Sequence, residues 1–192
     1  MERSCLRALR SELLAPVQGQ VLELGAGTGI NLDHYPNCIE SLTLVEPDLH
    51  MRRRLERKLV DHRLASRCTV LTALADVVPP GAGRFDAVVA TLVLCSVQQV
   101  PLVLNQVRSV MHPGGRLTSI EHVAAPRGSG CRRLQAWVEP AWKYFAGGCH
   151  LQRDPREYLP AAGFTAESSC EMEFRGAPSI IKSGLVSTWL AV

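Results

Sequence analysis

Three glycines at positions 25, 27 and 29 follow the short apolar run 21–24, in the order Gly-Ala-Gly-Thr-Gly. A strand that runs into a glycine loop brings main chain close to a ligand, because no Cβ intervenes. A dinucleotide-binding loop needs G-x-G-x-x-G, and the position of its third glycine holds Ile30 here. The lysine of a phosphate-binding P-loop is absent as well. The loop therefore predicts a ligand site of neither the NAD kind nor the P-loop kind.

A carboxylate stands at the end of the second apolar run, where Glu46 follows residues 42–45. In a doubly wound sheet this position lies over the first glycine loop and accepts hydrogen bonds from both hydroxyls of a ribose. A carboxylate at this position favours a ligand with a free ribose and no 2′-phosphate.

The elements that must position these groups alternate between short apolar runs and helical patterns. Residues 48–64 and 100–111 carry leucines or valines at helical spacing, and the predicted strands are 21–24, 42–45, 69–71, 85–94, 116–123 and 184–192. Almost continuously apolar strands that alternate with helices predict an α/β fold with a parallel sheet covered on both faces. A length of 192 residues predicts one domain over 1–192.

Composition and charge exclude several classes of protein. The chain is 46% hydrophobic and 20% charged with a net charge of +3, which excludes disordered, collagen-like and disulfide-scaffold chains. The charge is too small to predict a nucleic-acid partner by itself. Seven scattered cysteines without a C-x-x-C pair indicate a cytoplasmic protein with no metal site. No run is long enough to span a membrane, and Leu6, Leu9 and Leu13 predict a short N-terminal docking helix.

The glycine loop, Glu46, the run 85–90 and the segment 107–115 with its Pro-Gly-Gly turn together resemble the class I S-adenosylmethionine-dependent methyltransferases. The resemblance implies a Rossmann-like, mostly parallel seven-stranded sheet with an antiparallel last strand. It also implies that Glu23 orients the glycine loop or faces the methionyl ammonium through water, and that Glu46 holds the ribose. The cofactor-binding residues that it implies are Glu23, Gly25, Ala26, Gly27, Gly29, Glu46, Pro47, Ala75, Asp76, Thr91 and Leu92, of which Ala75 and Asp76 contact adenine.

Segments 91–98, 121–124, 139–143 and 147–149 resemble more specifically the thiol methyltransferases of the methyltransferase-like group. This resemblance implies methyl transfer to a small hydrophobic acceptor, with a thiol as the first choice. A lipid, quinone or phenol methyltransferase and a non-catalytic cofactor-binding protein stay open as alternatives. Methylation of nucleic-acid amino groups is disfavoured, because the residues after position 90 lack a [DN]-P-P-[YFW] signature.

A thiol attacks as its thiolate, so the site needs a group that takes the proton. His122 is the preferred base, because it follows the fifth strand at the carboxyl edge where such folds bind ligands. Glu121 and His150 are the alternatives. Trp137 and Trp142 are candidates for an apolar substrate wall, although an aromatic stripe on a helix also suits core packing. The apolar face 134–145 suits either a lid or peripheral membrane contact, and the sequence leaves the oligomeric state open.

Overall fold

The computed structural model describes residues 4–75 and 84–192. Its helices are α1 (Ser4–Leu14), α2 (Leu49–Leu59), α3 (Val100–Val110) and α4 (Gly130–Phe145). Its strands are β1 (Gly19–Leu24), β2 (Ile39–Val45), β3 (Cys68–Leu71), β4 (Phe85–Thr91), β5 (Met111–His122), β6 (Phe164–Glu173) and β7 (Ser183–Ala191). Short 3₁₀ turns connect several of them, including Ile30–His34 after the glycine loop and Ser179–Ile181 before β7.

Within the described residues the strands form one sheet of seven, in the order β3-β2-β1-β4-β5-β7-β6. The first five pair in parallel, whereas β7 runs antiparallel to both β5 and β6. The strand order reverses between β1 and β4, and ligands bind at the carboxyl edge beside such a reversal. The predicted mostly parallel sheet with an antiparallel last strand is confirmed.

Apolar clusters cover both faces of the sheet. On one face Leu22 and Leu24 of β1 pack with Val103, Leu104 and Val107 of α3. On the other face Val21 of β1 packs with Leu14 of α1 and Leu55 of α2. Successive residues of a strand point to opposite faces, so β1 is apolar on both sides and lies at the centre. Its carboxyl end is consequently fixed in three dimensions, which is what a binding loop needs.

Helix α1 docks as its leucine spacing predicts. Leu13 packs against Ile120 of β5 and Phe174, and Leu6 and Leu9 extend the same cluster. None of the helices in the described part of the chain is long and apolar enough to cross a membrane.

Several boundaries differ from the sequence-based expectation. Helix α2 ends at Leu59 rather than at 64, because the following residues form turns that begin with His62 N–H on the Leu59 carbonyl. Strand β4 ends at Thr91 rather than at 94. Strand β5 begins at Met111, and the Pro-Gly-Gly segment forms an irregularity in its pairing with β4.

Strand β6 was not among the predicted strands. It is one of the two edge strands of the described sheet, and almost all of its side chains between Phe164 and Glu173 are exposed. Because its side chains face solvent, β6 has no apolar run, so the pattern that identifies buried parallel strands does not detect it.

Candidate active site

The glycine loop lies at the carboxyl end of β1, and its conformation depends on glycine. Gly25 and Gly27 both have φ of 57°, the left-handed region that side chains rarely adopt. A Cβ at Gly25 would lie 2.6 Å from Cγ2 of Val93, so the loop could not pack there. A Cβ at Gly27 would meet no atom closer than 3.9 Å, because this residue faces a cavity.

Glu46 joins the glycine loop to the end of β2. One carboxylate oxygen accepts a hydrogen bond from Gly27 N–H at 2.7 Å, and the other accepts one from Asp48 N–H at 2.8 Å. The residue is only 4% exposed and lines the same cavity as Gly27. A carboxylate has about four acceptor positions, so two remain for the hydroxyls of a ribose.

The cavity at this edge has a volume of about 510 Å³ and fits the cofactor that the sequence predicts. It combines a bare main-chain surface at Gly27 with the acceptor pair of Glu46, and its other walls are mostly apolar. The predicted cofactor residues that line it are Gly25, Gly27, Glu46, Pro47, Ala75 and Leu92. Asp76 lies outside the described residues, so its assignment to adenine stays a prediction.

Glu23 and Thr91 do not line this cavity but belong to a buried polar network beneath the glycine loop. The Glu23 carboxylate accepts hydrogen bonds from Asn31 Nδ2 at 2.9 Å and from the Tyr35 hydroxyl at 2.8 Å. Arg10 of α1 donates to Thr91 Oγ1 at 2.9 Å. Burial raises the pKa of Glu23 to about 7, against the effect of its two donors and of Arg10. The geometry fits the predicted orienting role of Glu23, because Asn31 and Tyr35 follow the loop directly.

Two further residues of the predicted cofactor set lie in the loop without lining the cavity. Ala26 is buried and donates its N–H to the Val45 carbonyl at 3.0 Å. At Gly29 a Cβ would lie 2.7 Å from Leu55 of α2. Both residues therefore shape the loop from behind, and their contact with the cofactor stays a prediction.

A second cavity of about 580 Å³ adjoins the first. Leu92 and Ser96, in the segment after β4, line both cavities. Leu92 is the non-glycine residue of the described chain with positive φ, at 60°. The second cavity is otherwise mostly apolar, and its remaining lining residues are Leu6, Arg10, Ile30, Cys95, His122, Trp142, Ala146, Cys149, Phe174, Arg175, Ala177 and Ile181.

A larger cavity of about 870 Å³ lies at the opposite edge of the sheet, between the Pro-Gly-Gly segment and the start of β1. Its walls include Gly19, Asp86, Gly114 and Glu167. Parallel α/β sheets bind ligands at the carboxyl ends of their strands, and this cavity lies at the other end. Size therefore does not identify the site in this molecule, whereas position in the sheet does.

His122 ends β5 and lines the second cavity, although it is only 3% exposed. Its Nε2 lies 3.3 Å from the carbonyl oxygen of Ile180, and its Nδ1 lies 3.9 Å from the sulfur of Cys149. The carbonyl can only accept, so Nε2 carries the proton and Nδ1 is the basic nitrogen. His122 thus has a proton-accepting atom inside the cavity, as the prediction of a base requires.

Glu121 requires a correction, because the structure gives it a positioning role. One of its oxygens accepts from the N–H groups of Val93 and Leu94 at 3.1 and 2.9 Å, and the other accepts from Cys95 N–H at 3.1 Å. It is fully buried and lines neither cavity at this edge. Burial raises its pKa to about 7, and the three amides act in the opposite direction. Glu121 therefore fixes the segment that separates the two cavities.

The other alternative base and one of the two tryptophans also lie away from the cavities. His150 pairs with Glu139, with Nδ1 3.2 Å from the carboxylate, and does not line the second cavity. Trp137 is 82% exposed, whereas Trp142 lines the cavity. Five residues along a helix rotate a side chain by about 140°, so one helix could not direct both indoles at the same space. The substrate assignment of Trp137 is corrected on this ground.

Several residues of the site were not among the predicted ones. Arg10 and Asn31 join the buried network, and Cys149 lines the second cavity. Arg10 lies far from Thr91 in sequence, and its placement depends on how α1 docks. For Cys149 a signal did exist, since the Gly-Gly-Cys segment 147–149 belongs to the resemblance to thiol methyltransferases.

Comparison with known proteins identifies the family. The chain matches the family described as "Methyltransferase domain" over residues 1–169. It is 36% identical over 183 residues to human thiol S-methyltransferase TMT1B, and this match covers 90% of this chain and 73% of that protein. It is 34% identical over 147 residues to human thiol S-methyltransferase TMT1A, which covers 76% of this chain and 59% of that protein.

A solved structure of geranyl diphosphate methyltransferase in complex with S-adenosylmethionine has the same fold, with a TM-score of 0.77 at 12% identity. The match covers 98% of this chain and 85% of that protein. The family match and the relatives agree with the cofactor cavity described above. The chain belongs to the methyltransferase domain family and is a class I methyltransferase whose cofactor is S-adenosylmethionine.

Proposed function

We propose that this enzyme transfers the methyl group of S-adenosylmethionine to the sulfur of a small, largely apolar thiol. The observation that carries the proposal is the junction of the two cavities at Leu92 and Ser96. One cavity has the features of the cofactor site, and the other offers apolar walls with the basic nitrogen of His122. The names of the two human relatives, both thiol S-methyltransferases, support the same class of acceptor.

Methyl transfer from a sulfonium is an in-line displacement, so the protein contributes mainly by placing the attacking atom and excluding water. The bound cofactor supplies an activated methyl group. Gly27 and Glu46 hold it from the side of β1 and β2, and Glu121 holds the dividing segment in place through the amides of 93–95. The acceptor enters from the second cavity and approaches this segment from the opposite side.

His122 takes the proton of the acceptor thiol at Nδ1 in this mechanism. An alkyl thiol with an ordinary pKa of about 8.5 is mostly protonated at neutral pH, so removal of the proton increases the fraction that can attack. The carbonyl of Ile180 holds the other nitrogen and thereby fixes both the ring orientation and the tautomer. Trp142 and Phe174 provide apolar walls for the organic part of the acceptor.

The proposal is tested with isotope-labelled S-adenosylmethionine and a panel of alkyl thiols, phenols and phospholipids, with cofactor binding measured in parallel. We expect methylated thiol as the product. Product from phenols or phospholipids alone would leave the cofactor assignment intact and overturn the thiol. Tight cofactor binding without any product would indicate a non-catalytic binding protein.

A cytoplasmic location and a peripheral membrane contact are further proposals. The contact is supported by the exposed side chains of Trp137, Tyr144 and Phe145 on α4. Flotation with phospholipid vesicles tests it, and the triple alanine variant of these residues serves as the control. Recovery of the wild-type protein in the unbound fraction would contradict the membrane contact.

A further inference from the structure

Two cysteines from distant parts of the sequence meet in the second cavity. Cys95 follows β4, Cys149 follows α4, and both line the cavity. The N–H of His150, next to Cys149, donates to the Cys95 carbonyl at 2.8 Å. The two thiol groups are close enough for each to change the pKa of the other. The main-chain bond therefore holds the segment of Cys149 against the segment of Cys95 at this cavity.

The surroundings of the two sulfurs are unequal. Cys149 is half-buried, has His122 Nδ1 at 3.9 Å and lies beside the indole N–H of Trp142. That indole N–H is buried without a hydrogen-bond partner in the described part of the chain, so it is available to an anion. Cys95 is only 2% exposed and lies near the Glu121 carboxylate.

These surroundings favour the thiolate form of Cys149 and the protonated thiol form of Cys95. Its contacts with Cys95, His122 and Trp142 lower the pKa of Cys149, and burial acts in the opposite direction. The pKa of Cys95 is raised well above its usual value by its contact with Cys149, by burial and by Glu121. A thiolate next to a protonated partner thiol is the arrangement of an attacking and a resolving cysteine.

We propose that Cys149 and Cys95 form a thiol–disulfide exchange site, which accepts small organic disulfides R–S–S–R in the same cavity as the methyl acceptor. The proposal rests on the proposed function for the nature of R only: the disulfide is the oxidised form of the thiol that the enzyme methylates. Methyl transfer itself uses neither cysteine in the mechanism given above.

The exchange balances in two steps. The Cys149 thiolate forms a bond with one sulfur of R–S–S–R, the S–S bond breaks, and the electron pair leaves with R–S⁻. Cys95 then attacks Cys149 in the mixed disulfide, a second R–S⁻ leaves, and the proton of Cys95 passes to it. The two cysteines are oxidised to a disulfide, and the organic disulfide is reduced to one thiol and one thiolate.

The test uses the reduced full-length protein, bis(2-hydroxyethyl) disulfide as the probe and no S-adenosylmethionine. After an acid quench, mass spectrometry of the intact protein and of its peptides locates the products. We expect the wild type to lose two hydrogens and to yield a Cys95–Cys149 cross-linked peptide. C95S should retain one mercaptoethanol adduct on Cys149, and C149S should give neither product.

C170S is the matched control, because Cys170 is an exposed cysteine on β6 away from the cavity. It should behave as the wild type does. Adducts spread over Cys38 and Cys170, with no preference for Cys149 in C95S, would overturn the exchange site. An unfolded C95S is recognised by its circular dichroism, and C95A then takes its place.

The same preparations are assayed for thiol methylation, so the two proposals fail separately. Methylated thiol without exchange would overturn the exchange site alone. Exchange without any methylated thiol would overturn the proposed acceptor and leave the exchange site supported.

Discussion

The cofactor cavity and the acceptor cavity are neighbours of similar size that are built in different ways. The cofactor cavity takes its polar groups from main chain and from Glu46, which lie at the ends of adjacent strands. The acceptor cavity takes its walls from α1, the end of β5, α4 and the segment before β7. The strand ends of the sheet therefore form the cofactor cavity, whereas the elements packed around the sheet form most of the acceptor cavity.

This difference determines how readily each cavity can change in the course of evolution. Alteration of the cofactor cavity requires alteration of strands at the centre of the core. Alteration of the acceptor cavity requires only different side chains on α1, α4 or the segment 174–181. A constant cofactor with a variable acceptor is the expected result, since function is determined by sites built onto a common fold.

The largest effect is expected from His122→Ala in the acceptor cavity. General-base catalysis typically contributes about 10²–10⁴-fold, so kcat/KM for alkyl thiols should fall by about that factor. Thiols that are already ionised at the assay pH should lose much less. Rates across a series of thiols of different acidity measure this, and equal losses along the series would indicate positioning rather than proton transfer.

The next effect tests the other cavity. Glu46→Ala removes two hydrogen-bond acceptors for the ribose and the tie to the Gly27 N–H, so the dissociation constant of the cofactor should rise by about 100-fold. Titration calorimetry with S-adenosylmethionine measures it. Glu40→Ala is the matched control, because Glu40 lies on the same strand and is exposed. An unchanged dissociation constant in Glu46→Ala would contradict the ribose assignment.

Glu23 lies in the network beneath the glycine loop, and its pKa predicts a pH dependence of stability. The folded pKa of about 7 exceeds the ordinary 4.5, so the folded state binds this proton more tightly. The stabilisation is complete below pH 4.5 and is lost as the pH rises through 7, by up to about 3 kcal/mol.

Glu23→Gln removes this titration, since the amide stays neutral at every pH. Urea unfolding at several pH values should therefore show a smaller loss of unfolding free energy above pH 4.5 in the variant than in the wild type. Glu121 has a shift of the same sign and is present in both proteins, so it cancels in the comparison. Parallel pH profiles would show that the pKa of Glu23 is not raised in the folded protein.

The smallest effect distinguishes the two tryptophans of α4. Trp142→Ala removes an apolar wall, so the KM of an apolar thiol should rise by about tenfold, as for a lost contact of 1–2 kcal/mol. Trp137→Ala removes an indole that is mostly in solvent and should leave KM unchanged. Steady-state kinetics of both variants measure the difference. A rise in KM in Trp137→Ala alone would indicate that the exposed apolar face of α4 contacts the acceptor.

The same contrast determines how much could be predicted from the sequence. The glycine loop and Glu46 were found because adjacent parallel strands place their ends together, so a short motif and one carboxylate describe the site. The edge strand β6 was missed because its side chains face solvent. Trp137 was misassigned because the rotation of α4 about its axis depends on tertiary packing. Cys149 was not chosen, although its segment belongs to the resemblance, because the course of the loop after α4 depends on tertiary packing as well.

Leu92, at the boundary of the two cavities, holds a left-handed backbone that costs a leucine about 1 kcal/mol and a glycine almost nothing. Leu92→Gly should consequently relieve local strain. The wild-type side chain lines both cavities and occupies space between them. The strained backbone lowers the stability of the folded state, whereas the bulk of the side chain reduces the access of water to the reacting centre.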